Sequence, residues 1–151
     1  MRALIVEDEF LIRMLLRDLL DEAGFECEEA VDAEQAVALL DGGTWVPDLL
    51  VSDYNLGPGQ NGMALADTLL RRLPGLAVVF ITGNPECFAN RAFGVRERLL
   101  AKPFSPNNLM RVVREVTAPA APPTGSIFSF TRAAALDRLL RHSKAPVLAT
   151  I

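Results

Sequence analysis

Cysteine is scarce in this chain. Cys27 and Cys87 are the only two in 151 residues; their wide separation lacks the short spacing of a zinc site, and two reduced thiols are expected rather than a disulfide framework. Histidine is scarcer still: His142 stands alone, which excludes an imidazole-rich metal centre and leaves that residue as a solvated side chain. No apolar run approaches the length of a membrane span, and Met1-Arg2 leads straight into Ala3-Leu4-Ile5-Val6 and then acid, too short a stretch for a signal peptide. A cytoplasmic chain without membrane contact is expected. Positive charge is missing where a nucleic-acid binder needs it. Residues 118–151 carry Arg132, Arg138, Arg141 and Lys144 against Asp137, a net of +3 within an overall −4, so the first 117 residues hold −7 and argue against nucleic acid as a partner.

What is present is a regular alternation of two hydrophobic periods. Ala3 to Val6 reads as a buried strand that ends in Glu7-Asp8-Glu9. A helix follows to Ala23, with Phe10, Leu11, Met14, Leu15, Asp18, Leu19 and Glu22 at helical spacing and Gly24 as the stop. The leading apolar residues Phe10, Leu11, Met14 and Leu15 are a candidate surface for kinase docking, but most of them are expected to face the core, because a helix on a sheet must bury one stripe. Phe25 to Val31 is a second strand, alternating in the manner of a sheet edge. Asp32 caps a helix through Leu40, closed by Gly42-Gly43. Pro47 then opens the central strand, whose apolar run stops at Asp53 before a loop containing Gly57, Gly59 and Gly62, expected to form a mobile rim. Met63 to Leu73 is a helix, and Leu76 to Ile81 a strand meeting Thr82-Gly83. Asn84-Pro85-Glu86 looks like the cap and first turn of a short helix to about Phe93. Arg98 to Ala101 is the last strand, meeting Lys102-Pro103, and Ser105-Pro106 opens a final helix to about Val116. Five strands alternating with five helices imply an α/β doubly wound parallel sheet with right-handed crossovers.

In such a sheet the chemistry collects where strands end. Here strand ends deliver Glu7 and Asp8, Asp53, Thr82 and Lys102 to one edge. Carboxylates that close together repel and lose hydration, so the cluster calls for a cation; oxygen ligands without His or Cys point to a hard ion, Mg²⁺. Lys102 adds a point charge and Thr82 a hydroxyl donor, a set suited to a phosphoryl group on Asp53.

The set Glu7-Asp8, Asp53, Thr82 and Lys102-Pro103, each behind an apolar strand and in this order, resembles the receiver domain of bacterial two-component response regulators, over residues 1–117. The resemblance implies a flavodoxin-like fold with strand order 2-1-3-4-5, and a phosphorylation-dependent regulator rather than a conventional enzyme. It implies that Asp53 accepts a phosphoryl group from a histidine kinase or histidine phosphotransfer protein and hydrolyses it slowly. Asp8 and Asp53 would bind Mg²⁺ directly, Glu7 through water, and Asn55 by its backbone carbonyl. Thr82 and Lys102 would bind phosphoryl oxygens, Asn55 and Asn84 would tune the lifetime of the phosphate, and the Lys102-Pro103 bond is expected to be cis. The face built by the fourth helix, fifth strand and fifth helix would carry the output, a contact with a downstream protein target.

This chain also departs from the pattern. Leu99 stands three residues before Lys102, where the family usually has Tyr or Phe, and Phe80, Phe88 or Phe93 are candidate substitutes for that ring. Residues 118–130 are a Pro/Ala-rich linker by composition, and residues 131–151 contain a short amphipathic helix capped by Thr131, expected to need a surface to dock on, its own domain or a second copy in a homodimer. No DNA-binding output domain is expected. Two alternatives stay open at this point: a pseudo-receiver that binds proteins without being phosphorylated, and a phosphatase of the haloacid dehalogenase type. The latter wants a second Asp two residues after the nucleophile, where this chain has Asn55.

Overall fold

Of the ten strands and helices expected over residues 1–117, nine form and one does not. A computed structural model describes residues 1–119; the linker from residue 120 onward and the expected tail helix lie outside the described residues. The order is β1 Arg2–Val6, α1 Phe10–Glu22, β2 Glu26–Ala30, α2 Ala33–Asp41, β3 Leu49–Asp53, α3 Gly62–Arg72, β4 Ala77–Thr82, a 3-10 turn Pro85–Phe88, β5 Glu97–Ala101 and α4 Pro106–Thr117. The strands form one parallel sheet in the order β2-β1-β3-β4-β5. No described helix is long and apolar enough to cross a membrane.

The strand period of two explains how one sheet serves two layers of helices. Ile5, Val51, Val79 and Ile81 face one side, where they pack with Leu16 and Leu20 of α1 and with Leu109, Val112, Val113 and Val116 of α4. Their neighbours Leu4, Leu50, Val78 and Phe80 face the other side, against Ala33 and Ala36 of α2 and Leu65, Ala66 and Leu69 of α3. β3 and β4 are buried along their whole length, whereas β2 alternates as an edge should, with Cys27 and Ala30 inside and Glu26 and Glu28 outside. Three helices start on side-chain caps: Asp32 accepts from the Gln35 N–H, Asn61 from Ala64 and Ser105 from Asn108.

Two expectations are corrected here. The helix anticipated from Pro85 to Phe93 is a single 3-10 turn ending at Phe88, and Asn84 makes no side-chain cap. The chain from Ala89 to β5 is held by packing instead. Phe88 lies 5.0 Å from the Phe80 ring and Phe93 6.1 Å from it, while the Arg91 guanidinium sits 4.8 Å above the Phe80 ring centre. Arg91 also pairs with Asp67 of α3 at 2.8 Å and Glu97 of β5 at 3.2 Å. A side chain that must reach a ring, α3 and β5 together does so from an irregular loop.

The second correction concerns α1. Phe10, Leu11, Met14 and Leu15 are exposed, at 63%, 65%, 45% and 43%. The buried stripe is Leu16 and Leu20 with Ile12 and Leu19 packed beside them. The helix has two apolar stripes, and the one nearer the N-terminus looks outward.

Candidate functional site

β1 ends at Val6, and the Glu7 N–H still reaches Ala30 O at 3.1 Å, so Glu7 is fixed by the strand that precedes it. Its side chain turns inward and is 1% exposed, with Oε1 accepting the Glu9 N–H at 3.3 Å. Asp8, one residue on, is exposed. Asp53 closes β3 and is 6% exposed; the Tyr54 N–H bonds Ile81 O at 3.0 Å, which keeps the peptide after Asp53 on the β4 ladder. One ligand oxygen from each of Glu7, Asp8 and Asp53 lies within 4.8 Å of the others.

Lys102 crosses this group. The bond to Pro103 is cis, the Lys102 N–H donates to Thr82 O at 2.7 Å, and Nζ lies 2.9 Å from Glu7 Oε2 and 3.4 Å from Asp53 Oδ1. Thr82 is fully buried at the end of β4, and its Oγ1 accepts the Asn84 N–H at 3.0 Å. Among the described residues that hydroxyl donates to no protein acceptor, so its proton is available. A Cβ built on Gly83 meets nothing within 4 Å, so the approach beside Thr82 is open.

The electrostatics follow from burial. Desolvation pushes the Glu7 carboxyl above its usual value, against the Lys102 hydrogen bond that opposes it, and the Asp53 charge adds to the rise. Asp53 is likewise raised by burial, with Lys102 opposing and Asp8 adding. Burial would depress Lys102, yet the hydrogen bond to Glu7 and the charges of Glu7 and Asp53 outweigh it and hold the amine above its ordinary value. Lys102 is thus a fixed cation between two half-compensated carboxylates. The donor set is all oxygen, partly desolvated and short of positive charge, which fits a small hard divalent cation.

The strand-end residues singled out in the sequence therefore converge: Lys102 contacts Glu7 and Asp53, the Asp8 carboxylate lies within 4.8 Å of both acids, and Thr82 stands on the adjoining strand end. Asn55 and Asn84 are exposed on the two loops that leave this edge. Gly62 is not part of a rim as expected. It is buried at the start of α3, where its N–H donates to Tyr54 O at 2.9 Å and an added Cβ would fall 2.0 Å from Asp53 O. Sequence reasoning missed two further supports. Arg13 reaches the Glu7 carbonyl at 2.7 Å from the end of the first turn of α1. Tyr54 packs edge-on to Phe88 at 5.3 Å and so joins the residue after Asp53 to the aromatic group around Phe80. Arg13 carried no signal beyond being a basic residue just after an acidic run, and Tyr54 none beyond adjacency.

Residues 3–114 match the family described as the response regulator receiver domain. The chain belongs to that family. Among curated relatives of this receiver, the phosphate regulon transcriptional regulatory protein PhoB of Pseudomonas aeruginosa is 33% identical over 124 residues, 79% of this chain and 52% of that protein. The phyllosphere-induced regulator PhyR of Methylorubrum extorquens is 30% identical over 112 residues, 74% of this chain and 42% of that protein. The chain thus spans about half the length of the curated relatives it matches. The solution structure of the Erythrobacter litoralis PhyR receiver domain superposes with a TM-score of 0.70 at 27% identity, covering 80% of this chain and 93% of that one. The receiver is a signalling domain of two-component systems and not a conventional enzyme.

Proposed function

We propose that this receiver is a phosphorylation switch in which Asp53 is the acceptor. In the forward step a carboxylate oxygen of Asp53 attacks the phosphorus of a phosphohistidine on a histidine kinase or histidine phosphotransfer protein. The P–O bond forms as the P–N bond breaks, and the imidazole leaves with the electron pair. Water later attacks the acyl phosphate, returning the carboxylate and inorganic phosphate. Asp8 and Asp53 would hold Mg²⁺ directly, with Glu7 through water and the Asn55 carbonyl completing the shell; the ion would supply charge neutralisation for the transferred group. Lys102 binds a phosphoryl oxygen by its ammonium, and Thr82 another by its free hydroxyl proton.

The observation that carries this reading is the Lys102 ammonium, held 3.4 Å from Asp53 Oδ1 beside three convergent carboxylates. The test is incubation with Mg²⁺ and acetyl phosphate. One added phosphoryl group, labile to hydroxylamine, is expected on the wild-type chain and not on Asp53→Asn. Absence of that adduct on the wild type would favour the pseudo-receiver alternative.

The exposed stripe of α1 supports partner docking next to this edge. Phe10, Leu11, Met14 and Leu15 offer a contiguous apolar face, suited to a helix of the phosphodonor protein. Output would run through a protein target at the face made by Ala89 to Arg96, β5 and α4. With Leu99 half-buried opposite Phe80, the aromatic group Tyr54, Phe88, Phe80 and Phe93 takes the place of the family's usual ring. Cytoplasmic action, homodimer formation and signalling by protein contact without nucleic acid belong to the same proposal.

A further inference from the structure

The carbonyls of Glu7 and Asp8 fall in a gap between two regular elements. β1 has ended at Val6 and α1 begins at Phe10, so neither carbonyl is taken by a ladder or a helical N–H among the described residues. Both face one guanidinium. Arg13 Nη1 donates to Glu7 O at 2.7 Å and approaches Asp8 O at 3.4 Å. The same side chain, only 12% exposed, is anchored 3.6 Å from Glu29 Oε2 on β2 and lies 5.6 Å over the Phe10 ring.

We propose that Arg13 is a positioning residue for the acidic pocket, clamping the main chain of Glu7 and Asp8 so that their carboxylates converge with Asp53 on a divalent cation. The inference rests on the metal-binding reading given above. A guanidinium suits the task because its planar fork offers several donors in fixed directions, whereas an ammonium is a single point charge. Groups that orient metal ligands in this way commonly change affinity by about 10–100-fold when removed. Electrostatics alone would act the other way: taking a positive charge from beside a cation site tightens the cation. The sign of the change therefore separates positioning from charge.

A neighbouring residue supplies the control. Arg17, on the next turn of α1, pairs with the same Glu29 at 3.2 Å and with Asp21 at 3.4 Å but does not touch the acidic loop. It shares the tie to β2 and lacks the grip on Glu7 and Asp8.

The experiment is a Mg²⁺ titration of the full chain followed by the amide resonances of Glu9 and Tyr54. Arg13→Gln is expected to raise the Mg²⁺ dissociation constant by at least about tenfold, and Arg17→Gln to leave it within about twofold. Unchanged or tighter binding by Arg13→Gln overturns the proposal, as does an equal loss in Arg17→Gln. Should Arg13→Gln fail to fold, Arg13→Lys carries the test, because it keeps the charge and loses the fork; full wild-type affinity in that variant overturns it. Asp8→Asn is the separate arm for the underlying reading. If that variant binds Mg²⁺ as well as the wild type, the metal site itself has been misplaced, whatever Arg13 does.

Discussion

The Nζ of Lys102 donates to Glu7 Oε2 at 2.9 Å, a contact between residues 95 positions apart and closer than the 3.4 Å from the same nitrogen to Asp53 Oδ1. One ammonium thus partly neutralises two carboxylates, and its better bond is to Glu7 rather than to Asp53. Under the proposed phosphorylation of Asp53, a phosphoryl oxygen would compete with Glu7 for the donors of this ammonium. The cation proposed for this pocket would then offset the Glu7 charge, so metal binding and the freedom of the lysine would be linked.

The same relationship fixes a pH dependence. Glu7 and Asp53 titrate above their usual 4.5 and 3.8 because burial disfavours the charged forms. For acids raised in the folded state, the stabilising contribution is complete below the unfolded values and is lost as pH climbs through the raised ones. Lys102, raised above 10.5, contributes stability at all lower pH and changes nothing in this window. Asp53→Asn removes one of the two groups. In metal-free buffer its melting temperature is expected to exceed that of the wild type at pH 7. The gap should narrow toward pH 4. Calorimetry across that range checks it, and a gap independent of pH counts against burial as the cause.

Thr82→Ala tests the first link out of the site. The hydroxyl accepts the Asn84 N–H at 3.0 Å, so its loss leaves that amide without its partner at the start of the 3-10 turn. A stability loss of roughly 1 kcal/mol is expected, with faster hydrogen exchange at Asn84 and its neighbours. Thr82→Ser keeps the oxygen and should restore protection. Equal exchange in Thr82→Ala and wild type would mean that the turn is held by its aromatic contacts alone.

The strand ends were legible in the sequence because burial on both faces writes an uninterrupted apolar run, and the polar residue that stops it has to lie at the sheet edge. Glu7, Asp53, Thr82 and Lys102 were found that way. The two stripes of α1 were not separable by spacing: Phe10 and Leu11 begin one periodic series, Ile12 and Leu16 another, and only the direction of β1 decides which faces the sheet. The segment after Pro85 carried a helix-start signal that local chemistry alone supports. What overrides it is non-local, the joint pull of Phe80, Asp67 and Glu97 on Arg91, and residues drawn from three different elements leave no local pattern.

That override gives the third prediction. Arg91 is 11% exposed and pairs with Glu97, also 11% exposed, while stacking on Phe80. Arg91→Met keeps much of the apolar stem and leaves the Glu97 carboxylate buried without its cation. A cost of roughly 3 kcal/mol is expected, at the lower end for a buried pair because Asp67 is half exposed. Phosphorylation by acetyl phosphate at the proposed acceptor should persist, since Arg91 contacts Asp67, Glu97 and Phe80 and none of Glu7, Asp8, Asp53 and Lys102. A variant that melts like the wild type would show that the clamp does not hold this segment.

Gly62→Ala probes how closely α3 is set under Asp53. The methyl group would lie 2.0 Å from Asp53 O, 2.7 Å from Ser52 Oγ and 3.0 Å from the Asp53 carbonyl carbon. Two of the three obstructing atoms are main chain and cannot swing aside; the third is the Ser52 hydroxyl, which itself donates to Asp53 O at 2.9 Å. Either α3 or the end of β3 has to shift, and the overpacking should cost about 3 kcal/mol. A shift of β3 displaces the Asp53 carboxylate from Lys102, so the rate of phosphorylation by acetyl phosphate should fall together with the melting temperature. Gly83→Ala is the contrast, because its Cβ meets open space and the fold should keep its melting temperature. Gly62→Ala matching wild type in both rate and melting temperature would show that α3 can move away from β3 without cost.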